Sequence, residues 1–269
     1  MRLVVTRYRV TPPGWPAGQR LTLCALADIH ACEPSMTAER VRGIAAAANA
    51  LAPDITVLLG DYVRGRRQGW SVPEAQWAAA LGTLRAPLGV HAILGNHDWW
   101  DDPEAQRRGS GPTLSEIALR DAGIAVYNND AVRLQKGGLS FWLAGLADQI
   151  ALLPRVGRRH LVGFDDLEGT LAQVTDDAPV ILLAHEPDVF PKVPARVALT
   201  LSGHTHGGQV RVLGYSPVVP SRYGNRYAYG HVVENDRHLI VSGGLGCSIV
   251  PVRVGVPPEI LLVEIGASA

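Results

Sequence analysis

The chain has 269 residues, with 25 basic and 25 acidic side chains and therefore no formal net charge. Hydrophobic residues make up 47% of the chain, which is enough to bury one large core. The balanced charge argues against a general nucleic-acid binder, because such proteins carry a basic excess. No apolar run reaches the ~18–20 residues that span a bilayer, and the first ten residues are too short and too charged for a signal peptide.

These features predict a single domain over residues 1–269. We expect a cytoplasmic location, with peripheral contact to the inner membrane left open as an alternative. The three cysteines are widely spaced and form neither a disulfide framework nor a CxxC zinc motif. Composition does not determine the oligomeric state.

Short runs rich in Val, Ile and Leu recur along the chain, and each ends in glycine or polar residues, which predicts buried strands. These runs are 21–30, 55–61, 90–98, 140–148, 180–187, 197–206, 238–246 and 259–266. Helical patterns lie between several of them, at 37–53, 73–87 and 112–123. The alternation predicts an α/β chain with one mixed sheet or two packed sheets. The long irregular stretches 98–112, 149–166 and 213–231 are expected to carry function.

Residues able to bind a metal stand at the C-terminal ends of five of these runs. They are Asp28 and His30, Asp61, Asn96, His185, and His204 with His206. In open α/β sheets, ligand sites gather at the carboxyl ends of the strands. A single residue of this kind is usually a cap or a turn residue, but five strand ends carrying one together favour a shared site.

Carboxylate, imidazole and amide ligands suit divalent ions such as Mn, Fe, Zn or Ni. Seven ligands are too many for one ion that keeps an open position, but they fit two ions that share a carboxylate. Such a pair, about 3.5–4 Å apart, can clamp a phosphoryl group and activate a water. Because a strand places residues i and i+2 on one face, we expect His204 and His206 to point to one spot.

Five sequence blocks together resemble the calcineurin-like metallophosphoesterase superfamily, in that family's order. They are Asp28-x-His30, Gly60-Asp61, Gly95-Asn96-His97-Asp98, His185 and Gly203-His204-x-His206. More narrowly, GNHDWW, LLAHEPDVF, LSGHTHGGQ and GGLGCSIVPVRVGVPPEI are similar to the bacterial phosphodiesterase branch of YkuE and YaeI. The resemblance implies a four-layer α/β/β/α sandwich, in which helices flank two mixed β-sheets.

The resemblance also implies two divalent metal ions and a role for each matching residue. The first ion would be held by Asp28, His30 and His206, the second by Asn96, His185 and His204, and Asp61 would bridge both. A metal-bridging hydroxide would attack phosphorus in line. His97 would stabilise the transition state and protonate the leaving group, so that His97 and Asp61 are the predicted catalytic residues.

The chain departs from the family pattern at Arg64, where many relatives have an aspartate that supports the catalytic histidine. The sequence therefore leaves two candidates for the group that orients His97, which are Asp98 and a backbone carbonyl.

The predicted function is metal-dependent hydrolysis of a phosphoric ester, with a phosphodiesterase acting on a small or lipid-linked ester favoured. One alternative is a UDP-diacylglucosamine-type pyrophosphatase of envelope lipid synthesis. The other is a non-catalytic metal-binding scaffold, although no ligand of the set is missing. Trp99 and Trp100 are expected either to form an apolar lip or to pack in the core. Candidate phosphate contacts are Arg64, Arg66, Arg67, Arg107, Arg108, Arg158, Arg159, Arg222 and Arg226.

Overall fold

A computed structural model describes residues 2–64, 69–155, 159–248 and 251–266 of the chain. The strands are β1 (Val4–Val10), β2 (Leu21–Leu26), β3 (Cys32–Glu33), β4 (Ile55–Leu58), β5 (Trp70–Ser71), β6 (Val90–Ala92), β7 (Ala125–Val126), β8 (Asp130–Lys136), β9 (Leu139–Gly145), β10 (Val180–Leu183), β11 (Val197–Ser202), β12 (Gly230–Glu234), β13 (Arg237–Val241) and β14 (Glu259–Ile265).

The α-helices are α1 (Ala38–Asn49), α2 (Glu74–Leu81), α3 (Asn96–Trp100), α4 (Pro103–Arg108), α5 (Leu114–Asp121) and α6 (Leu167–Ala172). Short 3₁₀ helices cover Pro187–Lys192, His206–Gly208 and Gly224–Tyr227. Within the described ranges, no helix combines the length and the apolar character needed to cross a bilayer.

Two six-stranded mixed sheets form the centre of the molecule. The first has the order β1-β14-β2-β4-β6-β7, with β2, β4, β6 and β7 parallel to one another and β14 antiparallel to β2. The second has the order β12-β13-β11-β10-β9-β8, with parallel inner strands and antiparallel pairing at both edges. Strands β3 and β5 form a small separate pair.

Apolar side chains fill three layers of packing around these sheets. Between the sheets, Leu23 and Val57 of the first belong to one buried cluster with Leu143 and Leu183 of the second. Helices α1, α2 and α5 cover the outer face of the first sheet. The outer face of the second sheet is covered by α6 and by 3₁₀ segments that contribute buried residues such as Phe190. The four-layer arrangement is therefore confirmed, although 3₁₀ turns form much of its fourth layer.

The predicted helices and strands are present, but several are shorter than the sequence pattern indicated. Helix α1 begins after Thr37, whose hydroxyl accepts a hydrogen bond from the Arg40 N–H at 3.1 Å. The expected strand over 90–98 ends at Ala92, because Asn96 starts a helix. The stretch 98–112, expected to be irregular, contains the end of α3 and all of α4.

Both ends of the described chain lie in the first sheet. Strand β14 pairs with β1 on one side and with β2 on the other. The C-terminal segment therefore completes the same sheet that the N-terminal segment begins. The single domain over residues 1–269 stays a prediction that this pairing favours.

Candidate metal centre

All seven predicted ligands lie just beyond strand ends at one edge of the sandwich. In the first sheet, Asp28 and His30 follow β2, Asp61 follows β4 and Asn96 follows β6. In the second sheet, His185 follows β10, and His204 and His206 follow β11. Each sheet thus delivers ligands from the carboxyl ends of parallel strands, the position where α/β proteins build their sites.

The ligand atoms gather in two clusters that could each hold a metal ion. Asp28, His30 and His206 form the first cluster; Asp61, His185 and His204 form the second, and the atoms of each lie within 4.8 Å of one another. Both clusters are buried, apart from partial exposure of His204. The Oδ1 atom of Asn96 lies 2.8 Å from Nδ1 of His204, beside the second cluster.

Asp61 lies between the two clusters. Its Oδ2 atom is 3.3 Å from Nε2 of His185 and 3.6 Å from Nε2 of His30. One carboxylate therefore faces ligands of both clusters. Its other oxygen, Oδ1, accepts a hydrogen bond from the backbone N–H of His97 at 2.8 Å, which ties the carboxylate to helix α3.

Five of the seven side chains are mounted on left-handed backbone. The φ angles are 53° at Asp28, 49° at His30, 60° at Asp61, 69° at His204 and 52° at His206. Non-glycine residues adopt this region rarely and at an energetic cost, and such residues cluster at functional sites. His204 and His206 lie beyond β11, so the strand alternation expected from the sequence is not what brings them together.

Two imidazoles direct their Nε2 atoms into the clusters. Nδ1 of His30 donates to the Val63 carbonyl at 3.0 Å, and Nδ1 of His185 donates to the Leu59 carbonyl at 2.6 Å. Each ring therefore carries a hydrogen on Nδ1, and its Nε2 atom faces inward, where it can act as a ligand once unprotonated. Nε2 of His185 is buried without a hydrogen-bond partner in the described residues. A cation would satisfy this orphaned atom, so the residues fit a metal.

Burial makes this group of charges unfavourable without a cation. Burial raises the pKa of the Asp28 carboxyl to about 7 and lowers the pKa of His30 to about 4. Burial also opposes ionisation of Asp61, but the neighbouring His185 and His97 hold the pKa of that carboxyl well below its usual range. A divalent ion would offset the cost of burying these carboxylates.

Two glycines let the ligand loops approach each other closely. A Cβ atom on Gly95 would lie 2.4 Å from Oδ1 of Asp61, and one on Gly203 would lie 2.8 Å from Oδ2 of Asp28. Any larger residue would therefore displace a ligand. The glycine-rich motifs around Asn96 and His204 are explained by this lack of space.

His97 lies next to the clusters without belonging to either. Its Nδ1 atom is 3.4 Å from Oδ2 of Asp101, four residues along the chain, and its Nε2 atom is 3.5 Å from the Ser248 hydroxyl. Burial lowers the pKa of His97, but Asp61 and Asp101 outweigh it and raise the pKa above the usual value. Asp101 is therefore a carboxylate that pairs with the His97 ring, whereas Nε of Arg64 donates to Ser71 at 2.7 Å.

Among the described residues, neither Asp98 nor a backbone carbonyl forms a hydrogen bond with the His97 ring. Asp98 instead accepts hydrogen bonds from the backbone N–H groups of Asp61, Tyr62 and Gly95, at 2.9, 3.0 and 2.9 Å. It fixes the loops that carry the ligands, because one carboxylate collects the backbone donors of two strand ends.

A cavity of about 680 Å³ opens directly over the clusters. Its floor contains Asp61, Asn96, His97, His204 and His206. Trp100 forms part of its wall and also packs against the core. Trp99 is 1% exposed and packs on Phe164 in the core.

None of the predicted arginine contacts that the structure describes lines this cavity. Arg107 pairs with Glu104, Arg222 with Asp188 and Arg226 with Glu234. Arg66, Arg67 and Arg158 lie outside the described residues.

Sequence reasoning missed Arg253, which lies behind the first cluster. Arg253 is 6% exposed, its guanidinium donates to the Gly243 carbonyl at 2.7 Å, and its Nη2 atom is 3.1 Å from Nδ1 of His206. Glu186 was also missed, and its Oε1 atom is 3.9 Å from Nδ1 of His204. The position of Glu186 directly after the predicted ligand His185 was the sequence feature that could have indicated it. Arg253 lies 47 residues from His206, and no sequence feature indicated that the two are in contact.

Comparison with known proteins identifies the class to which this site belongs. The family model of the calcineurin-like phosphoesterases matches residues 21–208, which is more than half of the chain. The chain therefore belongs to the calcineurin-like phosphoesterase family, and the resemblance drawn from its motifs is confirmed. Proteins of this family are phosphoester hydrolases that use divalent metals.

Two relatives found by sequence agree with this assignment. The chain is 31% identical over 230 residues to the metallophosphoesterase YkuE of Bacillus subtilis, covering 83% of this chain and 72% of the relative. It is 30% identical over 220 residues to the phosphodiesterase YaeI of Escherichia coli, covering 79% and 70%. Among solved structures, it aligns with the calcineurin-like phosphoesterase YfkN from Bacillus subtilis with a TM-score of 0.47 and 14% identity, over 84% and 81% of the two chains.

Proposed function

We propose that the protein is a binuclear metal-dependent phosphodiesterase acting on a small or lipid-linked phosphate ester. The position of Asp61 between two buried ligand clusters carries this proposal. Its similarity to the phosphodiesterase YaeI supports the preference for diesters over monoesters. We also propose one domain over residues 1–269, which the pairing of β14 with β1 supports, and a cytoplasmic location, with peripheral contact to the inner membrane as an alternative.

Each ion site is assigned to the side chains that surround it. The first ion would be held by Asp28, His30 and His206, the second by Asn96, His185 and His204, and Asp61 would contact both. Oxygen and imidazole ligands of this kind suit Mn, Fe, Zn or Ni. When bound, two such ions supply positive charge to a phosphoryl group and lower the pKa of water.

The remaining chemistry belongs to the chain's own groups. His97 faces the cavity over the clusters, and the charges of Asp61 and Asp101 outweigh burial and raise its pKa above the usual value, which favours the protonated imidazole. A protonated His97 can donate a hydrogen bond to the phosphoryl oxygens and then transfer its proton to the departing alkoxide. Asp101 keeps the ring turned toward the cavity by accepting from Nδ1.

Asp61→Asn and His97→Gln test the two halves of this proposal. With Mn²⁺ present, Asp61→Asn should lower kcat for bis-p-nitrophenyl phosphate, and His97→Gln should lower kcat for a diester with a poor alkoxide leaving group, each by at least about 100-fold. Asp61→Asn should also reduce bound metal measured by elemental analysis, whereas His97→Gln should leave the metal content unchanged. Asp121→Asn and His160→Gln are matched exposed controls. Full activity in both variants would contradict the proposal, and an inactive wild-type protein with two bound ions would indicate a non-catalytic scaffold.

A further inference from the structure

The wall of the cavity is apolar, in contrast to its floor of metal-type ligands. Trp100, Val210, Pro217, Val218 and Pro220 form this wall. The cavity volume of about 680 Å³ lies within the ~300–1,000 Å³ that small-molecule pockets usually occupy. It is larger than a phosphate group requires, so part of the substrate beyond the phosphate belongs in this space.

Two polar side chains that line the cavity, Thr205 and Gln209, form hydrogen bonds within the protein. The Thr205 hydroxyl donates to the Ala228 carbonyl at 2.7 Å, and the Gln209 amide donates to the Val252 carbonyl at 3.0 Å and accepts from the Ser248 N–H at 2.8 Å. In the part of the chain that the structure describes, no lysine or arginine lines the cavity. Nucleotide phosphates are normally bound by such cations, so this wall offers no support for a UDP-containing substrate.

The apolar surface continues outward from the cavity on the turn over residues 212–215, which we call the rim. In the rim, Val212 and Tyr215 exchange backbone hydrogen bonds at 2.9 and 3.0 Å, and Leu213 at the tip is fully exposed. Val218, three residues after Tyr215 in the chain, lines the cavity and is 65% exposed. Val254, which is 44% exposed, lies alongside through a bond from the Arg211 N–H to its carbonyl.

We propose that the cavity and rim bind the hydrocarbon chain of an amphiphilic phosphate ester, with its phosphate over the metal clusters. This inference rests on the proposed phosphodiesterase function and specifies its substrate class. A hydrocarbon chain matches a wall that makes dispersion contacts and offers few free polar groups. The rim extends the same apolar track, so a long chain leaving the cavity stays partly shielded from water.

A series of p-nitrophenyl alkyl phosphodiesters, from methyl to dodecyl, tests the proposal with the Mn-loaded protein below micelle concentrations. We expect kcat/KM to increase about two- to fourfold per methylene until the cavity is filled, and then to level off. A flat profile with retained activity on the methyl ester would overturn the chain-binding proposal alone. Inactivity on every ester would instead overturn the phosphodiesterase function on which it rests.

Val218→Ser is the informative variant, because its side chain is exposed enough for the fold to tolerate a polar group. It should lower the dodecyl-to-methyl ratio of kcat/KM at least about threefold. Val233→Ser is the matched control, since Val233 is 52% exposed on β12 and does not line the cavity. An equal effect of both variants, or no effect of Val218→Ser, would contradict the assignment of the wall.

Calorimetric titration with methylphosphonate and decylphosphonate provides a readout that needs no turnover. We expect the decyl compound to bind at least about tenfold more tightly, and equal affinities would overturn the proposal. Presenting the long-chain ester in phosphatidylcholine vesicles distinguishes a substrate taken from a membrane from one taken from solution. Faster hydrolysis from vesicles than from monomers would indicate a membrane lipid, and the reverse would indicate a dispersed amphiphile; in both cases the chain is bound.

Discussion

His97 is positioned by groups from three different parts of the chain. Its backbone N–H donates to Asp61, its Nδ1 atom faces Asp101, and its Nε2 atom lies toward Ser248. Because Asp101 is one helical turn after His97 on the segment that starts at Asn96, the short helix α3 is sufficient to bring imidazole and carboxylate together. A carboxylate that is local in the chain thus lies against the His97 ring.

Asp101→Asn tests this positioning role. We expect kcat to fall about 10- to 100-fold for diesters with poor alkoxide leaving groups and much less for p-nitrophenyl esters, because only the former need a proton from His97. Metal content should not change. Glu104→Gln on helix α4 is the control, with a well-exposed carboxylate. The same loss for both leaving groups would indicate a general structural defect instead.

The loops after the strands are the elements that build the site. Predicted strand positions were correct for the buried runs, because continuous Val, Ile and Leu segments are distinctive. Strands β1, β8 and β12 were missed, since they are partly exposed and their apolar residues are interrupted by polar ones. Loop geometry at Asp28 or His204 could not be predicted, because positive φ angles at these residues depend on contacts between the two sheets.

Gly95→Ala tests how closely these loops must approach. The new Cβ would lie 2.4 Å from Oδ1 of Asp61 and 2.6 Å from Cε1 of His185, so both side chains would have to move. We expect metal affinity to fall at least about tenfold, with an unchanged far-ultraviolet circular dichroism spectrum. Gly43→Ala in helix α1 has nothing within 4 Å and should leave affinity unchanged. Wild-type affinity in Gly95→Ala would show that the loops can adjust.

At the scale of the whole molecule, the metal centre lies where the two sheets meet. The first cluster takes Asp28 and His30 from the first sheet and His206 from the second, and the second cluster is shared in the same way. Bound ions would therefore link the sheets at this edge. Binding to the folded state alone stabilises that state by mass action, so chelation should lower Tm.

Asp28→Asn tests how much the buried Asp28 carboxylate destabilises the folded protein when no metal is bound. The folded pKa of Asp28, about 7, is above the unfolded value of 3.8, so stability is lost as pH rises between these values. In chelated protein at pH 8, the variant should melt at least about 3 °C above wild type. The difference should shrink toward pH 4, as measured by scanning calorimetry. A variant that melts below wild type at pH 8 would contradict this prediction.

Sequence alone was sufficient to predict the family, the α/β class and the seven side chains that the fold brings together. These properties reside in short motifs and buried apolar runs, which are local in the chain. Tertiary structure alone decided the position of Asp101 beside His97, the position of Arg253 behind His206 and the apolar wall over the clusters. The physical reason is that each of these features depends on the distance between side chains in the folded protein. That distance cannot be predicted from the spacing of residues along the chain or from composition.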